Sequence, residues 1–130
     1  MKKTIVMLCC LLSLSSAFSS VKAAEYVYFG FEPQIVTNYV ASKKKMGYVR
    51  LSVELMIEGA DNFDVVEHHS PLLRDAIINI IGNQTEEKVK SIKGRADILK
   101  QCEDKVKSLL TKETGKPLVK KLLFTQWLDN

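Results

Sequence analysis

The feature that most constrains the fold is a run of alternating residues from Tyr48 to Glu58. Every second position of this run carries an aliphatic side chain: Val49, Leu51, Val53, Leu55 and Ile57. The positions between them are mostly polar or charged, with Tyr48 and Met56 as the apolar exceptions. Successive side chains of a strand point to opposite faces. The pattern therefore predicts a strand with one face on a core and the other towards water or a partner.

The segment before this strand is also predicted to be extended. Residues 26–40 are rich in aromatic and β-branched types, which favour strands. Gly30 and Pro33 interrupt the segment, so we expect a bend or a sheet edge there. Lys43 to Lys45 followed by Gly47 reads as a solvated turn, and the two extended segments then form an antiparallel hairpin.

The residues after the strand change to helical periodicity. Asp61 or Asn62 can cap a first helix. Pro71 falls inside it, so the helix should kink there or restart with Ser70 as its cap, and Gly82 followed by Asn83 should end it. Its apolar stripe is Val66, Leu73, Ile77, Ile80 and Ile81.

Two more helices and a strand complete the pattern. Thr85 can cap a short helix and Ser91 a long one, which Gly115 should end. The long helix has an apolar stripe formed by Leu99, Cys102, Val106, Leu109 and Leu110. Residues 118–128 are apolar on both faces near their middle, which predicts a strand covered on both sides.

These elements predict a single small α+β domain. An antiparallel hairpin or sheet and the C-terminal strand pack against two main helices and one short helix.

The first 23 residues resemble an export signal rather than part of this domain. Lys2 and Lys3 precede an apolar run from Ile5 to Leu14, which is about half of the ~20 residues that cross a bilayer as a helix. Small residues before the bond after Ala23 favour cleavage there. We therefore expect a signal peptide over 1–23 and a periplasmic domain over 24–130. Because Lys2, Lys3 and Lys22 would be removed with the signal peptide, the formal net charge of this domain would be +1 rather than the +4 of the whole chain. This near-neutral charge gives no indication of nucleic-acid binding.

The residues that usually carry chemistry have structural explanations here. His68 and His69 are neighbours, which project about 100° apart on a helix and cannot both bind one ion unaided. Cys102 lies on an apolar stripe, where a buried thiol is expected. The paired Glu86 and Glu87 fit a helix start. We therefore predict no catalytic, cofactor-binding or metal-binding residues, no cofactor and no enzymatic activity.

Several segments in order resemble the periplasmic domain of the flagellar basal body-associated protein family FliL. The resemblance runs through residues 48–55, 69–78, 91–99 and 122–126, with a looser match over 31–40. The positions that match family motifs are Pro71, Arg74, Asp75, Gly94 and Phe124. We interpret them as mostly architectural: a kink, a helix-surface pair, a close approach between elements and a core ring.

The resemblance implies a function. FliL proteins are similar in fold to the SPFH domain of stomatin, and they form rings around the stator units of the flagellar motor and support them under load. The chain would then be a non-catalytic accessory that self-associates, with stator proteins and the basal body as partners. A signal-like segment stands where the family has a cytoplasmic tail and a membrane helix. Membrane association would then depend on partners or on an uncleaved N-terminal segment.

A different class of function is also open at this point. The chain could be a periplasmic binding module for a small ligand or an envelope component, unrelated to flagella. A concave apolar pocket with converging polar groups would favour this module. A filled core with a flat exposed helix face would favour the accessory protein.

Overall fold

In the described part of the chain, the strands form an antiparallel four-stranded sheet whose inner face is covered by helices. A computed structural model describes residue 19 and residues 23–42 and 45–130. In chain order the elements are β1 (Tyr26–Gly30), β2 (Ile35–Tyr39), β3 (Gly47–Glu58), a 3-10 turn (Ala60–Asn62), α1 (Phe63–His68), α2 (Ser70–Gly82), α3 (Glu86–Lys90), α4 (Ile92–Thr114) and β4 (Val119–Asp129). The predicted α+β class is confirmed, with two short helices in place of one. The signal-peptide prediction lies outside the described residues except at Ser19 and Ala23.

The long strand β3 organises the sheet. One edge of β3 pairs with β4. The other edge pairs with β2 in the N-terminal half of β3 and with β1 in the C-terminal half of β3. Phe29 of β1 faces Leu55, and Thr37 of β2 faces Val49. The predicted hairpin is therefore confirmed, and so is the interruption at Pro33, which follows a cis peptide bond.

The alternation along β3 is confirmed by the burial of its side chains. All five predicted inward residues are at most 1% exposed: Val49, Leu51, Val53, Leu55 and Ile57. Burying an aliphatic side chain of this kind stabilises a fold by about 1.5–3 kcal/mol. Buried residues from α1, α2, α3 and α4 pack on this face and fill the core.

The first helical region divides at His69. Asn62 precedes α1, but its Nδ2 atom donates to the Glu58 carbonyl (2.7 Å) instead of capping the helix. The predicted restart occurs with Pro71 in the first turn of α2. Ser70 is the first residue of that helix and His69 occupies the cap position, so the choice of Ser70 as cap was wrong by one residue.

The boundaries of the last two helices follow the predicted caps. The Thr85 hydroxyl accepts from the Lys88 amide (3.5 Å), and the Ser91 hydroxyl accepts from the Gly94 amide (3.0 Å). These bonds satisfy amides that a helix start leaves without partners. Gly115 ends α4 in the left-handed conformation (φ 84°), which glycine adopts without steric cost.

The prediction that the last strand is covered on both sides is wrong. Leu122 points inward and is 1% exposed, whereas Leu128 points outward and is 52% exposed. Two register shifts in the β3–β4 ladder alter the simple alternation along β4. Consecutive apolar residues near the middle of β4 point to opposite faces as in any strand, and the outer face is open to solvent in the described part of the chain.

Candidate interaction surface

The outer face of the sheet has a polar centre. Three polar side chains lie side by side here: Ser52 on β3, Gln126 opposite it on β4, and Gln34 directly before β2. The Gln34 Nε2 atom donates to the Ser52 hydroxyl and to the Gln126 side-chain carbonyl, both at 2.6 Å. These bonds link the three polar side chains to one another.

Exposed apolar residues lie on either side of this polar centre. Towards the β2–β3 hairpin, Val36 (56% exposed) and Leu128 (52% exposed) face Arg50 across the sheet. Towards the other end, Tyr28 (52% exposed) faces Met56. A surface with large apolar side chains and a hydrogen-bonded centre suits contact with another protein.

Two of the motif residues, Arg74 and Asp75, have different partners. The Arg74 Nη2 atom donates to the Pro33 carbonyl (2.7 Å), and its guanidinium carbon lies 5.6 Å from the centre of the Phe31 ring. Asp75 accepts from Asn79 Nδ2 (3.2 Å). The interpretation of Arg74 and Asp75 as a helix-surface pair is therefore wrong. Arg74 instead attaches α2 to the break between β1 and β2.

The other motif residues lie in separate parts of the fold. Pro71 is exposed in the first turn of α2. A Cβ atom added to Gly94 would overlap the backbone of Lys88, which agrees with the predicted close approach. The Phe124 ring is partly buried at the margin of the core. The structure therefore does not bring these motif residues together into one site.

A cluster that the sequence did not reveal joins the start of α4 to the end of β4. The Arg95 Nη2 atom lies 2.8 Å from Asp129 Oδ1, and its Nε atom donates to the Val89 carbonyl (2.9 Å). The same guanidinium lies 5.6 Å from the centre of the Trp127 ring. Arg95 and Asp129 are 34 positions apart, so no local spacing indicates the pair. The cluster fixes the end of β4 against the helices.

A second cluster attaches the hairpin loop to α3. The Ser42 hydroxyl donates to Glu86 Oε2 (2.7 Å), and Lys90 Nζ lies 3.0 Å from Glu86 Oε1. Hydrogen bonds lower the pKa of Glu86 to about 2. The bond from Ser42 has the largest effect, and the bond from Lys90 has the next largest. Glu86 is thus held as a carboxylate at the start of its helix, as its position predicted.

The potentially reactive side chains are placed as structural groups. Cys102 is 0% exposed, and burial raises the pKa of its thiol to about 12. The Nδ1 atom of His69 lies 2.8 Å from the Val65 carbonyl oxygen. Within residues 23–42 and 45–130, no group of three or more histidine, cysteine or carboxylate side chains is placed to hold a metal ion.

The concave parts of the surface are open depressions. One of about 490 Å³ lies between the hairpin loop and α3, and includes Val40 and Thr85 in its walls. Another of about 340 Å³ lies between α2 and α4, beside Leu72 and Leu109. Both lie outside the filled core. This arrangement favours the accessory protein over the small-ligand module.

The filled core and the open, partly apolar sheet face define a small α+β domain suited to protein contact. Residues 28–128 match the family model described as flagellar basal body-associated protein FliL. The chain therefore belongs to the FliL family, which confirms the resemblance found in its motifs.

One curated relative is the flagellar protein FliL of Aquifex aeolicus (strain VF5). It is 24% identical over 102 residues, which cover 78% of this chain and 60% of the relative. The chain thus spans less than two thirds of that protein. Among the described residues, no helix has both the length and the apolar character needed to cross a bilayer.

Proposed function

We propose that the chain is a non-catalytic accessory protein of the flagellar motor. In this proposal it acts in the periplasm, associates with copies of itself and supports the stator units. The match to the FliL family over residues 28–128 carries the proposal. The filled core and the open outer sheet face are consistent with a role in contact rather than catalysis.

The outer edge of β4 supports the self-association part of the proposal. In the described part of the chain, β4 pairs with β3, and its other edge has no strand beside it. Backbone amides and carbonyls on such an edge can bond to a strand of a second copy. Unlimited addition of further strands to this edge is opposed by the charges of Lys120 and Lys121 and by the two register shifts of β4. A pairing of two β4 strands in one register would therefore close as a dimer contact.

A motility experiment tests the motor role. Deleting the gene should reduce swimming in viscous medium, and the wild-type gene should restore it. Stator proteins should co-purify with the tagged chain. Unchanged swimming together with no co-purified stator protein would overturn the proposal.

Two matched variants test the part played by β4. Leu128→Glu places a charge beside the β4 edge, whereas Leu72→Glu places one on α2, and both positions are exposed (52% and 39%). We expect Leu128→Glu to reduce self-association and swimming under load, and Leu72→Glu to leave both unchanged. Equal behaviour of the two variants would reject β4 as the contact.

The periplasmic location has a separate test. The intact mass of the exported protein should correspond to residues 24–130. A mass that includes residues 1–23 would reject cleavage after Ala23 and would assign the N-terminal segment to membrane attachment.

A further inference from the structure

Exposed apolar side chains gather at the hairpin end of the domain. They form what we call the hairpin-end patch: Val40 (58% exposed), Met46 (62%), Tyr48 (46%) and Ile92 (89%). Single exposed apolar residues are common on protein surfaces. Four at one end of a small domain indicate a binding surface.

Contacts between the hairpin loop and the α3–α4 corner hold the patch together. The Val40 amide donates to the Gln84 carbonyl (2.9 Å), and the Glu86 amide donates to the Val40 carbonyl (3.0 Å). A depression of about 330 Å³ has both Met46 and Lys90 in its walls. Ile92 follows Lys90 by two positions at the start of α4. The patch residues therefore come from two separate segments that meet at this end of the domain.

The fold gives no reason for an apolar side chain at Ile92. Its side chain is 89% exposed, so it contributes almost nothing to the core. The first position of a helix also accepts polar residues, which would be better solvated there. Burial of the Ile92 side chain would be favourable only if another apolar surface covered it.

Basic residues outnumber acidic ones in the segments that form this end of the domain. The described basic residues of the segments that meet here are Lys45, Arg50, Lys88, Lys90, Lys93 and Arg95. The acidic residues of the same segments are Glu86, Glu87 and Asp129. Glu86 is engaged by Ser42 and Lys90, and Asp129 is engaged by Arg95. This end of the domain therefore combines exposed apolar side chains with a formal excess of positive charge.

We propose that the hairpin-end patch binds the surface of an anionic lipid membrane. Met46 and Ile92 would enter the boundary between headgroups and acyl chains, and Tyr48 would lie at the headgroup level, which suits its polar tip and apolar ring. Lys45 and Lys93 would approach the lipid phosphates. Charge complementarity and apolar exposure at the same place favour this partner over a neutral one.

The patch lies at the opposite end of β3 from the start of β1. Tyr26 at the start of β1 pairs with Glu58 at one end of β3, whereas Tyr39 pairs with Gly47 at the other end. A strand of this length separates the two ends by roughly 40 Å at about 3.3 Å per residue. The patch is thus distinct from the end of the domain where β1 begins, and the proposed binding does not depend on the flagellar role.

Vesicle sedimentation of the exported protein tests the proposal. Vesicles with about one quarter phosphatidylglycerol in phosphatidylcholine should bind the protein more strongly than pure phosphatidylcholine. The variant Lys45→Gln/Lys93→Gln should weaken binding by about fivefold for each lysine removed. The variant Met46→Ser/Ile92→Ser should weaken it by roughly tenfold or more.

Matched substitutions elsewhere serve as controls. Val65→Ser/Leu72→Ser changes two exposed apolar residues of α1 and α2 and should not change vesicle binding. Equal binding to the two kinds of vesicle would overturn the proposal, and so would equal losses in the control and the Met46→Ser/Ile92→Ser variant. If the patch variants lost self-association but kept vesicle binding, the patch would be a contact between copies, and the lipid proposal would fail.

Discussion

The contact between α3 and α4 makes the effect of one glycine substitution predictable in sign. An added Cβ at Gly94 would lie 2.5 Å from Lys88 Cα and 2.6 Å from the Lys88 carbonyl carbon. Real Cβ atoms do not approach backbone this closely, so α3 would have to move. At Gly82, the last residue of α2, the nearest atom is the Asn38 carbonyl oxygen at an ordinary 3.8 Å. The same substitution should therefore have opposite effects at the two positions.

The size of the effect follows from two opposing contributions. Alanine in a helix is favoured over glycine by about 0.5–1 kcal/mol. Overpacking against a fixed neighbour costs about 1–3 kcal/mol, and disturbing the bond from the Gly94 amide to the Ser91 hydroxyl (3.0 Å) adds about 1 kcal/mol. We expect Gly94→Ala to lower the free energy of unfolding by about 2 kcal/mol. Gly82→Ala should change it by between zero and about 1 kcal/mol in the stabilising direction.

Urea denaturation followed by circular dichroism measures both variants on the same scale. A loss of about 2 kcal/mol corresponds to a fall in Tm of roughly 8–16 °C for a domain of this size. If Gly94→Ala were as stable as wild type or more stable, the helix contact described here would be incorrect. If both variants lost stability equally, the effect would not come from the contact with Lys88.

Three further predictions concern single side chains. Cys102 should resist thiol reagents at pH 8 in the native protein and react once urea unfolds it, because burial raises its pKa to about 12. Arg74→Ala should lower the free energy of unfolding in urea by about 2 kcal/mol through loss of the bond to Pro33, and Arg74→Lys should restore part of it. Glu86→Gln should lower stability at pH 7, where the carboxylate accepts from Ser42. Because the folded pKa of Glu86 is depressed to about 2, its contribution is present above pH 4.5 and should disappear in urea titrations as the pH falls towards 2.

Each of these predictions has an outcome that contradicts it. Rapid labelling of native Cys102 would show that the thiol is accessible. Equal stability of Arg74→Ala and wild type would mean that the bond to Pro33 contributes nothing. A stability difference between Glu86→Gln and wild type that persisted at pH 2 would not come from ionisation of the carboxyl group.

The parts of the fold that follow local rules could be predicted from the sequence. The alternation of Val49 to Ile57 depends only on the period of a strand, and it defined the inner face of β3. Thr85, Ser91 and Gly115 act within one helical turn, so their residue types were sufficient to place the helix ends.

The parts that depend on distant contacts could not be predicted in the same way. Leu122, Leu123 and Phe124 predicted a last strand covered on both sides, because the sequence does not reveal that the outer face of the described sheet is open to solvent. The bond from Arg74 to Pro33 spans 41 positions, and the neighbouring Asp75 offered a nearer but incorrect partner. The hairpin-end patch forms only after the chain has folded, when Met46 and Lys90 line the same depression. Candidate surfaces of this kind are set by tertiary structure.

The location of the protein in the cell tests the central claim most directly. A fluorescently tagged chain that reaches the periplasm should form foci at the flagellar bases. These foci should disappear when the stator genes are deleted and return when the genes are restored. An even distribution around the cell, unchanged by loss of the stator, would contradict the assignment of this FliL-family domain to the motor.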